Sequence, residues 1–316
     1  MKIGISSCLL GQMCRYNGGH AKDDFVMDVI HAYFEVVPFC PEAVIFGTPR
    51  EAIRLFEDEK GISVITTKEN KDVTQPLLES SKRMVEQINE EGLCGFILKS
   101  NSPTCGLERV KIYDAKIPSG ERRGIGVFAK EIRKQFPHLP LEEEGRLQDA
   151  WLRENFMMQV FAYQEIHEFL ASKPSMGALV AFHSKYKYLI YAKSHLRYKE
   201  LGSVVANHEK RTLESVLSLY KEAFLKAIAL KGTVKKTYNV LVHIYGYFKN
   251  EIGAEEKEEV LLCLEEFKEG IIPLIAAIKM LNLYVKRFDI TYLKTQKFLN
   301  PYPKALALRS HIKAYK

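Results

Sequence analysis

Three cysteines lie far apart in the chain, yet each follows an apolar run. Cys8 follows Lys2–Ser7 (KIGISS), Cys40 follows Glu35–Phe39 (EVVPF), and Cys105 lies six residues past Gly95–Lys99 (GFILK). Thiolates are soft donors that suit iron–sulfur clusters, zinc and copper. Three of them around one centre leave a coordination position open, which is the arrangement of a catalytic site rather than a structural one. Free cysteine is also one of the most buried residue types, and any one of the three, taken singly, is better explained as a small core side chain. Three at strand ends reverse that balance. Cys14, in the loop after Cys8, stays open as a further ligand. Cys94 precedes a strand, at the opposite sheet edge, and Cys263 in an amphipathic helix reads as core.

The loops around these cysteines are polar. Arg15-Tyr16-Asn17-Gly18-Gly19 follows Cys8, and its glycines permit a tight turn near a ligand. Arg15 supplies a planar donor fork. Glu42 stands two residues after Cys40, and Ser102 three before Cys105. A carboxylate of suitable pKa is a general base, and a serine relays a proton or holds a water. Each also has an ordinary reading: Glu42 as a helix cap, and Ser102-Pro103 as a turn opener. Asn101 and Thr74 are expected in loops at the same sheet edge, and Arg50 is a partner for Glu51 or Glu42.

The elements that must position these groups alternate strand and helix. Strands are expected at Lys2–Ser7, Glu35–Phe39, Ile62–Thr66 and Gly95–Lys99. A helix opens at Thr74, with Thr74 as N-cap and Pro76 in its first turn, and stops at Gly92. Gly124–Phe136 is expected as a helix, Leu141–Gly145 (LEEEG) as a loop, and Arg146 to about Leu170 as a long helix. This pattern predicts an α/β domain with an open, mostly parallel sheet, whose ligands bind beyond the carboxyl ends of the strands. Ser172–Gly177 reads as a linker. Beyond it lie only helical periods, at Leu179–Leu201, Thr212–Leu230, Lys235–Lys249, Glu255–Glu269 and Ile271–Arg287, with Gly202, Gly232, Gly253 and Gly270 near the breaks. An all-α domain follows from that pattern.

Composition narrows the class. With 47% hydrophobic and 27% charged residues in 316, the chain is neither disordered nor fibrous. Its best apolar run, Gly270 to Val285, is broken by Pro273 and Lys279 and falls short of the ~18 residues a membrane span needs. The first apolar stretch is too short for a signal peptide, so the cytoplasm is expected, where cysteines stay reduced or bind metal. Residues 1–165 hold 21 Lys and Arg against 25 Asp and Glu, a formal −4, and residues 166–316 hold 25 against 14, a formal +11. That asymmetry suits chemistry in the first half and a polyanion in the second, nucleic acid and a plain lysine-rich surface being the two alternatives.

The strings SSCLLGQMCRYNGG, CPEAVIFGTPRE, DVT (Asp72–Thr74) and LKSNSPTCG, with EEEGRL and LRENF, resemble the thiouracil desulfidase family of iron–sulfur enzymes over roughly residues 1–165. In the second half, LVAFHSKYKYLIYAKSHLRYKELG and YLKTQKFLNPYPKALALRSHI resemble the helical YbgA-type domain. Fusions of the two resemble tRNA 4-thiouridine desulfidases. Tyr186 and Lys193 stand where that helical family is expected to carry histidines.

The resemblance implies a 4Fe–4S cluster on Cys8, Cys40 and Cys105, with one iron open to a thiocarbonyl sulfur. It implies Glu42 as the base that takes a proton from water and Ser102 as its orienting or relaying partner. Sulfide then leaves by non-redox hydrolysis, without a nicotinamide or flavin. Arg15, Tyr16, Asn17, Thr74 and Asn101 are expected to contact substrate. In residues 166–316, Lys185, Lys187, Lys193, Arg197 and Lys199 interleave with Tyr186, Tyr188, Tyr191 and Tyr198, a mixture that suits phosphates and unstacked bases of tRNA. Competing readings are a hydro-lyase using the open iron, an RNA-binding module with a structural zinc, and a desulfidase of free thiopyrimidine whose helical domain serves dimerisation.

Overall fold

A computed structural model describes residues 1–303. The end of the YLKTQKFLNPYPKALALRSHI string, from residue 304 onward, lies outside the described residues. The chain separates into two compact units after Phe156. In the first unit the elements run β1 (Lys2–Ser6), α1 (His31–Tyr33), β2 (Glu35–Phe39), α2 (Pro41–Phe46), β3 (Ile53–Asp58), β4 (Gly61–Thr66), α3 (Thr74–Glu91), β5 (Phe96–Leu98), β6 (Val110–Tyr113), β7 (Glu121–Gly124), α4 (Val127–Gln135) and β8 (Leu141–Glu143).

Two sheets form. The first is wholly parallel, in the order β2–β1–β5–β8. Its central strands, β1 and β5, are largely buried apolar runs, as expected where helices cover a parallel sheet. Ile3, Ile5, Phe96, Ile97 and Leu98 are buried, and the rings of Phe39, Phe96 and Phe128 pack with centroids 5.1 to 6.1 Å apart. A Cβ at Gly4 would collide with the Phe96 ring, so the central strand needs glycine there.

The second sheet, β4–β3–β6–β7, is mixed: its outer pairs are antiparallel and β3–β6 is parallel. Ile62–Thr66, expected beside the other strands, thus belongs to a separate sheet. Thr74 goes with it. Val73 is the N-cap of α3, and the Thr74 hydroxyl accepts the Val64 N–H at 2.7 Å. Thr74 is therefore the first helical residue, pinned to β4, and does not belong to the carboxyl edge of the parallel sheet.

Of LEEEG, expected as a loop, Leu141–Glu143 is a strand, and Glu144 and Gly145 form the turn after it. Glu142, Glu143 and Glu144 are 6–8% exposed, and each carboxylate is neutralised or hydrogen-bonded, as buried charge requires. Glu142 takes Arg146 Nε at 2.6 Å, Glu143 the Leu107 N–H at 2.7 Å, and Glu144 the Lys99 ammonium and the Ser100 N–H. The helix expected from Gly124 starts at Val127, because Gly124 closes β7.

A long helix, α5 (Ala150–Ala171), carries the chain across the division between units. The described part of the second unit is helical: α6 (Met176–Lys193), α7 (His195–Ala206), α8 (Leu213–Ala229), α9 (Val234–Tyr245), α10 (Ala254–Glu269), α11 (Leu274–Arg287) and α12 (Thr291–Lys294). Ser175, Ser194, Thr212 and Thr233 cap four of these, each hydroxyl accepting the N–H three residues on. Ser194 divides the helix expected over Leu179–Leu201, and Gly202 falls inside α7. Phe169, Phe182, Tyr186, Tyr220 and Phe224 form the aromatic core. Among the described residues no helix is long and apolar enough to cross a membrane.

Candidate active site

The neighbours β2, β1 and β5 all end on one edge of the parallel sheet, and each leads into one cysteine. After β1, Ser7–Leu10 makes a 3-10 turn containing Cys8, closed by Gly11 at φ +82°. Cys40 is the N-cap of α2, with Pro41 in the first turn. After β5, the Ser102 hydroxyl accepts the N–H of Thr104 at 3.1 Å and of Cys105 at 3.0 Å, fixing the turn that holds Cys105. A Cβ at Gly126 would strike the Thr104 carbonyl, so α4 can approach this turn only with glycine.

The thiols sense one another. Cys40 Sγ is 3.9 Å from the Cys14 carbonyl oxygen, and the thiols of Cys8 and Cys40 both act on that of Cys14. Cys105 is buried, in reach of the Ser6 and Ser102 hydroxyls, and feels the charges of Glu42 and Cys40. Burial pushes the Cys105 thiol well up. Cys40 is raised first by its contact with Cys14 and then by burial. Contact with Cys40 lowers Cys14, but contact with Cys8 and burial outweigh it, lifting Cys14 to about 11.

Glu42 sits in the first turn of α2 and is held by Arg50. Arg50 Nη2 and Nε both reach Glu42 Oε2, at 2.6 and 3.2 Å, and the ion pair is largely shielded from solvent. Oε1 takes no part in that pair. Arg50 Nη1 also donates to the carbonyls of Cys14 at 2.9 Å and Gly47 at 3.0 Å. One guanidinium thus ties the cysteine loop to the carboxylate. Glu51, the other partner weighed for Arg50, instead accepts the N–H groups of Lys68 and Glu69, the first of which lowers its pKa most.

The remaining candidates are placed as follows. Arg15 lies 5.6 Å from the ring of exposed Tyr16, and Asn17 uses Oδ1 to accept the Gly19 N–H at 3.1 Å. Asn101 is exposed at φ +58° within the Cys105 turn, a conformation asparagine tolerates. Cys94 donates to the Lys2 carbonyl at 2.9 Å, at the amino end of the sheet. Cys263 is half-buried on α10. Spacing did not single out Ser6, whose hydroxyl accepts the Lys99 N–H at 3.0 Å beside Cys105, nor the anchoring role of Glu144.

On the helical unit the basic residues divide. Lys185 and Lys199 are exposed, and Lys187 lies 5.2 Å from the Tyr188 ring. Arg197 pairs with Glu200 at 2.6 Å. Lys193 is 4% exposed and donates to the Leu230 carbonyl at 2.7 Å, so it is a structural tie inside the bundle and not an RNA contact. Tyr186 and Tyr188 are core, with hydroxyls on Glu165 and Tyr247. Tyr191 and Tyr198 are half-exposed and cluster with His195 and His243 at centroid distances of 5.1 to 6.5 Å.

Among the described residues no three His, Cys, Asp or Glu side chains are arranged to hold a single metal ion. With metal–sulfur bonds of ~2.3 Å, a tetrahedral ion wants thiolates about 3.8 Å apart; a cluster of several irons is wider and takes them further apart. The donor set fits such a cluster. Three shielded thiols come from three separate strand ends, and the buried Thr104 hydroxyl next to Cys105 has no hydrogen-bond partner.

Residues 3–144 match the family model of 2-thiouracil desulfurase, and residues 187–303 match a protein family of unknown function, DUF1722. YbbK of Bacillus subtilis (strain 168), an uncharacterised protein, is 33% identical over 138 residues, which span 42% of this chain and 89% of YbbK. The chain therefore belongs, through its first unit, to the 2-thiouracil desulfurase family. Uncharacterised YbgA of Escherichia coli (strain K12) is 26% identical over 154 residues, 48% of this chain and 91% of YbgA. A solved structure of the [4Fe-4S]-dependent thiouracil desulfidase TudS shares 26% identity over 46% of this chain and 93% of its own, with a TM-score of 0.38.

Proposed function

We propose that this protein removes sulfur from a thiolated uracil with a 4Fe–4S cluster held by Cys8, Cys40 and Cys105, and that its preferred substrate is 4-thiouridine in tRNA. In this reading residues 1–165 carry the desulfidase and residues 166–316 bind RNA. One observation carries it: three thiols follow three adjacent parallel strands, beside a carboxylate that a single arginine clamps. When bound, the cluster supplies a Lewis-acidic iron that grips a thiocarbonyl sulfur and draws electrons from its carbon.

The chain's own residues do the rest. Glu42 accepts a proton from the attacking water on Oε1, while Arg50 fixes the carboxylate through Oε2. Ser102 has both lone pairs committed to the Thr104 and Cys105 N–H groups, so what it offers is its O–H. It donates, orienting the water or the new carbonyl oxygen. The balance is one thiocarbonyl and one water giving one carbonyl and one hydrogen sulfide, with no electrons supplied from outside. Arg15, Tyr16, Asn17 and Asn101 contact the base or its phosphate. Exposed Lys185 and Lys199, with Lys187 and Arg197, hold RNA phosphates beside the half-exposed rings of Tyr191 and Tyr198.

The test is anaerobic reconstitution followed by sulfide assay on thiolated tRNA, free 4-thiouridine and free 4-thiouracil. Turnover of all three with the highest kcat/KM on tRNA is expected. Equal or better turnover of the free forms would shift the substrate to the nucleoside or base, and no sulfide from any would remove the activity.

A further inference from the structure

We propose that Cys14 is a fourth thiol ligand of this centre, closing the coordination position that Cys8, Cys40 and Cys105 leave open until substrate arrives. The inference rests on the cluster reading above and goes beyond the three-cysteine set.

Its basis is the placement of Cys14. The residue is half-buried, its carbonyl oxygen is 3.9 Å from Cys40 Sγ, and the thiols of Cys8 and Cys40 both act on its own, while Cys94 sits at the opposite, amino end of the sheet. Its backbone is held at the site's edge from both sides: the Cys14 N–H donates to the Gln12 carbonyl at 2.8 Å, and the Cys14 carbonyl accepts from Arg50 Nη1 at 2.9 Å. Only the side chain is left to rotate. A thiolate is a better ligand for iron than water, so a fourth thiol this close has a place to go once a cluster is present.

The exchange balances without redox chemistry. The bond from Cys14 sulfur to iron breaks as the bond from substrate sulfur forms, and the released thiolate takes a proton from water. Arg50 couples the two events, because the guanidinium that holds the Cys14 carbonyl also orients Glu42. A resting centre closed by Cys14 keeps its fourth iron when oxidant is present and substrate is not.

The experiment uses the full chain, reconstituted anaerobically, as wild type, Cys14→Ser and Cys14→Ala. Ferricyanide, a one-electron oxidant, is added, and the signal of a three-iron cluster is followed by electron paramagnetic resonance. Both variants should lose the fourth iron at least about tenfold faster than wild type, the scale on which losing one supporting group weakens a metal site. Added 2-mercaptoethanol should slow Cys14→Ala back toward wild type, which a packing role would not explain. Equal rates in all three overturn the proposal.

Should the variants take up little iron, Mössbauer spectra of the wild type decide. Four equivalent irons that split on adding 4-thiouridine support the fourth thiol; a distinct quarter of the iron already present without substrate overturns it. A wild type that holds no cluster removes the cluster reading and this inference together, whereas a wild type with four irons and one distinct site removes only Cys14.

Discussion

The two units handle charge in opposite ways. In the first, carboxylates are drawn inward and spent on geometry. Glu144 holds Lys99 and Ser100, Glu143 holds Leu107, and Arg50 binds Glu42 and the Cys14 loop, so the turns carrying Cys14, Glu42 and Cys105 are braced by buried polar bonds. In the second, most lysines point to water and the interior is aromatic. Lys193 is the exception, an ammonium buried on a carbonyl. A site that does chemistry needs fixed groups in a dry setting; the RNA surface proposed for the second unit needs many soluble charges and little fixed geometry.

The cysteines of the first unit carry the largest expected effect. Replacing Cys8, Cys40 or Cys105 by Ala should abolish sulfide release; an active, iron-replete Cys105→Ala would dissolve the division of labour. Glu42→Gln should keep its iron and lower kcat by about 10²- to 10⁴-fold, the range for a general base, checked by steady-state sulfide assay. Glu144→Ala strips a partner from Lys99 and Ser100 and should cost about 3 kcal/mol in urea unfolding.

Smaller effects sharpen the second unit. Burial, then the nearby Lys187 charge, lowers the His183 pKa from 6.5 to about 4. The folded state therefore binds the proton less tightly than the unfolded state. Stability is whole above pH 6.5 and falls as pH drops toward 4, by up to about 3 kcal/mol at one pKa unit per 1.36 kcal/mol. Urea melts across that window should show this fall in wild type and not in His183→Phe, which has no ring to protonate there; an equal fall in both would remove His183 as its source. Changing Lys185, Lys187 and Lys199 together to Ala should cut the salt dependence of tRNA binding by about two to three counterions. Lys193→Met should leave that slope alone and lower stability instead. A slope moved by Lys193 and not by the other three would reverse the assignment.

Much of the parallel sheet was legible because β1, β2 and β5 are mostly apolar runs, each leading toward one of the cysteines. β8 was hidden by its own function: Glu142, Glu143 and Glu144 look like loop residues until their partners are known, and those partners are distant in sequence. β7 (ERRG) is mostly exposed and carries almost no apolar signal. In the helical unit the periods were plain, but the Ser194 cap was masked by apolar spacing that continues across it. Nothing in the run Ala192-Lys193-Ser194 says that the lysine turns inward. At the candidate site, the strand ends and motifs led to Cys8, Cys40, Cys105, Glu42 and Ser102 as the proposed residues. Arg50 and Cys14 were also in view, but which carboxylate Arg50 takes and how near Cys14 comes depend on how an irregular loop folds back, which spacing does not encode.

Distant thiols that together hold one cluster must bring both iron and sulfide into the protein. The direct measurement is the iron and acid-labile sulfide content of the anaerobically reconstituted full chain. About four of each per chain is predicted, in keeping with thiolate-bound clusters. One zinc or one iron per chain, with no acid-labile sulfide, would contradict it.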